Sequence, residues 1–185
     1  GGRVALAATN YASTGLNGNY TLMDVTGAGS LLDLSSLQGL NAAFSHGYPG
    51  GEYHVIRAHN SGVIDLSGVQ GITGPAVWDD DLRIYVETDG NILLDSLYSV
   101  GGTGETHFYV NVPSWRLPAL ATTSSTHLRV QAAGTLDVPA LQTFNDGRVE
   151  LGAGATLNAP DLLNFTWSSY LLDANAHLNA PNLVN

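Results

Sequence analysis

The 185-residue sequence predicts an all-β fold, a single-stranded parallel β-helix (β-solenoid) of about eight coils with about 21 residues in each. Three observations carry this. A six-residue phrase recurs, reading LDVPAL at 136–141, LNAPDL at 157–162 and LNAPNL at 178–183. Its first positions fall at 11, 32, 64, 92, 115, 136, 157 and 178, so the steps settle at 21 in the C-terminal half. A second alternating run precedes each phrase and is followed by a Gly or small-residue turn, which is the mark of paired strands.

The phrase is apolar, polar, apolar, Pro or Ser, any residue, then Leu. Earlier copies are WRLPAL at 115–120, ILLDSL at 92–97, IDLSGV at 64–69 and LDLSSL at 32–37, with a degenerate copy at 11–16. Side chains alternate across a strand, so positions one, three and six are expected inside and position two outside. Pro118, Pro139, Pro160 and Pro181 share one place in the phrase. Proline cannot donate to a ladder, so that place is a corner where the strand ends.

The second run is represented by 128–130, 149–151 and 170–172. From the last residue of one phrase to that run, the regular coils use eight residues (120 to 128, 141 to 149, 162 to 170), whereas three earlier coils use 19, 15 and 10 (37 to 56, 69 to 84, 97 to 107). The excesses of 11, 7 and 2 account for every departure from 21, so all insertions are expected at one corner, on one face of the N-terminal half. In the last of these coils Phe108, Val110 and Val112 suit a core better than His107 and Tyr109, which predicts an irregularity near Pro113.

One domain, 1–185, is expected, with a weak first coil or partial cap at 1–18, inserted coils at 19–106 and regular coils at 107–185. The 44% hydrophobic content suffices for a core. Six Arg, no Lys and 16 acidic residues give a formal charge of −10, which disfavours nucleic acid and anionic membrane surfaces as partners. There is no cysteine, so disulfides and thiolate metal sites are excluded. No apolar run is long enough to span a membrane. The final phrase has no polar terminal strand after it, and an open strand edge is a template for pairing. The expected partners are therefore further repeats or a second copy, end to end, through the terminal coil and the 1–16 segment.

Repeats of the form L-[DN]-[VA]-P-x-L, spaced by Gly/Ala turns and a second strand, resemble the β-solenoid segments of large bacterial exported and adhesin-like surface proteins. The resemblance covers residues 20–185 and is one of repeat style. It implies an extracellular or cell-surface location and a structural or adhesive role, and it brings no catalytic residues with it. Leucine-rich repeats have units of similar length, but their inward Asn ladder is missing, because Asn158 and Asn179 occupy the outward second position.

Two groups of residues are candidates for binding. Asp79, Asp80 and Asp81 offer the clustered oxygens that Ca²⁺ takes, against the plainer reading of a solvated acidic turn. His46, Tyr48, Tyr53 and Trp78 lie in or beside the insertions, where rings can stack on the C–H face of a sugar or simply pack the loops. Arg129 and Glu150 are expected to pair across adjacent coils. For catalysis the six His are dispersed and the Arg stand one to a coil, so no catalytic residue and no obligatory cofactor is expected, and the chain reads as a non-enzymatic surface module or filament that binds glycan through its loops. The competing reading is a carbohydrate-active β-helix, a polysaccharide lyase or hydrolase. A lyase would want Arg or Lys beside a charge-neutralising cation, and a hydrolase converging carboxylates.

Overall fold

The computed structural model describes residues 1–45, 51–131 and 133–184. Among them the chain winds as a parallel β-solenoid, each coil hydrogen-bonding to the next. A coil has three sides. The phrase side holds three-residue strands such as Thr135–Asp137 and Thr156–Asn158, the short side holds strands such as Thr143–Asn145, and the long side holds strands of up to seven residues such as Tyr53–His59, Asp81–Glu87 and Glu105–Asn111. The long side orders its strands Tyr20–Thr26, Tyr53–His59, Asp81–Glu87, Glu105–Asn111, Thr126–Val130, Arg148–Leu151 and Ser169–Leu172.

The inside/outside pattern is the one the phrase dictates. Leu136, Val138 and Leu141 are buried and Asp137 faces out. Each such aliphatic, taken out of water, contributes about 1.5–3 kcal/mol. Because successive coils are in register (Leu136 with Leu157, Leu157 with Leu178), identical positions stack into columns along the axis. On the long side the inward column is Ile56, Ile84, Phe108, Leu128 and Val149. On the short side Phe144 stacks on Phe165, with centroids 5.3 Å apart.

The outward second column manages its charges locally. Asp33 and Asp65 are in register, yet Asp33 accepts from Ser35 and lies 3.3 Å from Arg3, while Asp65 accepts from the Ser67 N–H. Further along, Asn158 donates to Asp137 at 2.6 Å and Asn179 reaches Asn158.

Two expectations are corrected. The first phrase is not at 11–16: Val4 pairs with Leu32 on the phrase side, whereas Tyr11 pairs with Leu40 on the short side. The first coil is thus 28 residues long, and its apolar alternation is too sparse to show the register. Near Pro113 there is no bulge in the ladder, since Phe108 pairs with Ile84 and Leu128 without a shift. Phe108 to Trp115 spans seven residues where Leu128 to Leu136 spans eight, so the following turn is one residue shorter. The insertions do leave at one corner, between the short and the long side (from Gly39–Asn41 to Tyr53–His59, and from Gly71–Thr73 to Asp81–Glu87). No helix is long and apolar enough to cross a membrane among the described residues.

Candidate functional site

Parallel sheets are usually covered on both faces. Here the outer face of the long side is open and densely functionalised. Strand alternation sends Tyr53, Asp81, Glu105, Arg83, His107, His127, Arg148, Arg57, Tyr85, Tyr109, Arg129 and Glu150 outward, in rows that follow the ladder. The arginines that stand one to a coil in the sequence therefore come four to one face.

At the start of this face three metal-ligating groups converge. His107 and His127 are register partners in adjacent coils, with ring centroids 4.4 Å apart and the planes tilted by 51°. Glu105 lies two residues before His107 and so shares its face. One carboxylate oxygen sits 2.8 Å from His107 Nε2 and the other 3.3 Å from His127 Nε2. The candidate ligand atoms of the three residues lie within 4.8 Å of one another. Asp81, the register partner of Glu105, adds an oxygen 3.5 Å from His107 Nε2. Both imidazoles are largely shielded, at 9% and 17% side-chain exposure, while Glu105 at 40% opens the group to solvent.

Two imidazole nitrogens with one carboxylate form a donor set for Zn²⁺ or a related transition metal, bound at about 2.0–2.2 Å with positions left open. Ca²⁺ prefers six to eight oxygens and fits it poorly. The surroundings are already polarised. Burial opposes ionisation of Asp81, but hydrogen bonds from His107 and Arg83, with their charge, hold its carboxyl below the usual range. Burial lowers the affinity of His127 for a proton and the charge on His107 lowers it further, against the pull of Glu105. On its other side His107 Nδ1 is 3.4 Å from the Tyr109 hydroxyl, to which Arg129 donates at 3.4 Å. A neutral histidine that binds a metal through one nitrogen carries its proton on the other, so loading Nε2 would direct an N–H at Tyr109.

From Tyr109 the face continues into a shallow depression of about 500 Å³ lined by Arg129, Gln131, Glu150, Leu171 and Asp173. Tyr85 stacks on Tyr109 at 4.4 Å. Arg129 and Glu150 pair across adjacent coils as expected, at 3.0 Å, and Arg148 joins them at 2.8 Å.

His46 and Tyr48 lie outside the described residues. Tyr53 lies beneath the Arg83 guanidinium, whose carbon is 3.9 Å from the ring centroid. Trp78 projects from the corner, 77% exposed. Asp80 is buried and accepts the Glu52 N–H at 2.9 Å, whereas Asp81 faces out onto Arg83 at 2.6 Å.

The expectation of a non-enzymatic module is overturned by Glu105, His107 and His127. It rested on histidines scattered through the sequence, and the coil register brings two of them onto one carboxylate in a group that could hold a metal ion. The clue was present in the preference of Phe108 for the core, which turns His107 outward and aligns it with His127. Comparison with known protein families, curated proteins and solved structures finds no match. The molecule is a repeat scaffold carrying a candidate catalytic or binding site.

Proposed function

We propose that the chain is a carbohydrate-active β-solenoid, a metal-dependent module that cleaves an acidic polysaccharide on the outer face of its long side. The observation that carries this reading is the convergence of Glu105, His107 and His127. A stacked parallel sheet offers a linear polymer a periodic surface, and tyrosines extend from the cluster along the axis to meet sugar rings, beside arginines already paired with Asp81 and Glu150.

Within this class elimination fits better than hydrolysis. A hydrolase needs one protonated carboxyl facing a second, free carboxylate. Asp81 instead spends an oxygen on Arg83, Glu150 is shared by Arg129 and Arg148, and Glu105 serves two imidazoles. In elimination the proton beside the sugar carboxylate is removed, the C4–O bond breaks, a C4=C5 double bond forms, and the departing oxygen takes a proton. A metal held by Glu105, His107 and His127 would supply charge neutralisation at that carboxylate. Tyr109, held between Arg129 and His107, is placed to move the protons.

The test is turnover. Protein loaded with Zn²⁺ is given polygalacturonate and alginate, and unsaturated product is followed by its ultraviolet absorbance. Product release that chelation abolishes, that zinc restores, and that His127→Ala lacks while keeping its β-sheet circular dichroism is the expected result. Turnover indifferent to chelation, or none on either polymer with zinc bound, would overturn the proposal.

A further inference from the structure

We propose that Trp78 and Trp167 form the two ends of a sugar-stacking platform, so that a polysaccharide lies along the rod axis across the Glu105–His107–His127 cluster. The inference rests on the reading of the long side as a polysaccharide-working face and assigns the residues that would hold the polymer there.

The two rings are 77% and 91% exposed, whereas the third tryptophan, Trp115, is 5% exposed and packs in the core. Both stand at the same corner of the coil. Trp78 lies between the short-side strand Gly71–Thr73 and the long-side strand Asp81–Glu87, and Trp167 lies between Asn164–Thr166 and Ser169–Leu172. Asp146, one coil earlier and covered on both sides, occupies the same corner and is also exposed, whereas Ser125, one coil before that, is buried.

In the regular coils that corner takes a left-handed backbone, with φ of 47° at Ser125, 49° at Asp146 and 52° at Trp167; Trp78, in an inserted corner, does not share it. Aspartate and asparagine adopt such angles readily, but a bulky side chain does so only against strain. Folding has no use for an indole here: the ring is out of the core and touches no other aromatic ring among the described residues. Strain retained at an exposed ring is the pattern of a ligand contact.

The placement fits a linear glycan. In the long sheet the strands run Asp81–Glu87, Glu105–Asn111, Thr126–Val130, Arg148–Leu151, Ser169–Leu172, so the two tryptophan corners are four steps apart, about 19 Å at the ladder spacing. The cluster sits on the first two of the intervening strands, and Glu105 and His127 lie near the same edge of the sheet as the corner. A polymer with one sugar on each indole would cross the cluster between them. Between the rings the corner carries the exposed Asp146, whose carboxylate can accept from hydroxyl groups, with the buried Ser125 donating to it.

Binding is measured without turnover, in zinc-free protein, by tryptophan fluorescence during titration with polygalacturonate and alginate. The expected result is a shift in emission on titration, with Trp78→Ala and Trp167→Ala each weakening binding roughly five- to tenfold, the size of one ring-stacking contact. Trp167→Asn separates a binding role from a structural one, because it removes the ring and relieves the backbone. Thermal stability should hold or rise while affinity falls. Unchanged affinity in either alanine variant, or no emission change with either polymer, would overturn the platform. The two proposals fail separately. Zinc-dependent turnover with unchanged KM in both tryptophan variants strikes only the platform, and tryptophan-dependent binding with chelation-indifferent turnover strikes only the metal chemistry.

Discussion

Trp115 donates its indole N–H to the backbone carbonyl of Ile92 at 2.9 Å, across the one junction on the phrase side where the ladder changes sheets. The strand Asn91–Leu93 closes one four-stranded sheet and Ser114–Arg116 opens the next. At that junction a side chain replaces part of the backbone pairing. Trp115→Phe keeps most of the packing but leaves the Ile92 carbonyl without this donor. The expected loss is about 1–3 kcal/mol, the cost of a buried polar group left unsatisfied, read by urea denaturation. A loss below a few tenths would mean that the carbonyl finds another donor.

Leu162 and Asn158 belong to one phrase and point opposite ways. Leu162 is buried, and Leu162→Ala should cost about 2–5 kcal/mol. Asn158 faces out, and Asn158→Ala forfeits hydrogen bonds to Asp137 and Asn179 worth about 1 kcal/mol. Equal losses in chemical denaturation would contradict the alternation on which the fold rests.

His54 makes the fold sensitive to mild acid. It is fully buried, stacked on Phe44 at 3.6 Å and 3.2 Å from Ser13 Oγ, and its Nε2 has no partner among the described residues. Burial lowers its pKa from 6.5, opposed by the nearby Leu16 backbone and by the charges of Asp80 and Glu52. The unfolded chain therefore binds a proton at a higher pH than the native state does. Stability is fully present above the unfolded value of 6.5, falls as pH drops below it, and levels off beneath the folded value. His54→Leu places at this position the residue that its register partner Leu82 already supplies. The variant should lose less stability than the parent between about pH 7.5 and about pH 5. Parallel losses in the two proteins would remove His54 as the source.

The fold was legible because burial writes a period into the sequence. The phrase column from Leu32 to Leu178 and the insertion corner followed from spacing alone. The short side was harder to see: its strands bury single residues such as Leu40, Ile72 and Phe144, and one apolar residue makes no alternation. The site was harder still, since outward positions carry no periodic constraint. Glu105, His107 and His127 form a group only once the one-residue shortening before Trp115 is recognised and the coils are aligned through Phe108.

The ladder bonds run along the rod, coil to coil, and this has a mechanical consequence. Force applied between the two ends would load one coil's bonds at a time, as a zipper is loaded, rather than shearing a whole sheet at once. Each regular coil that peels away releases 21 residues, roughly 70 Å of extended chain against the ~4.8 Å it occupied. Pulled from its two ends, the regular part of the solenoid would therefore lengthen in even increments, and wider steps, where insertions lengthen the coil, would mark the N-terminal half on an extension trace.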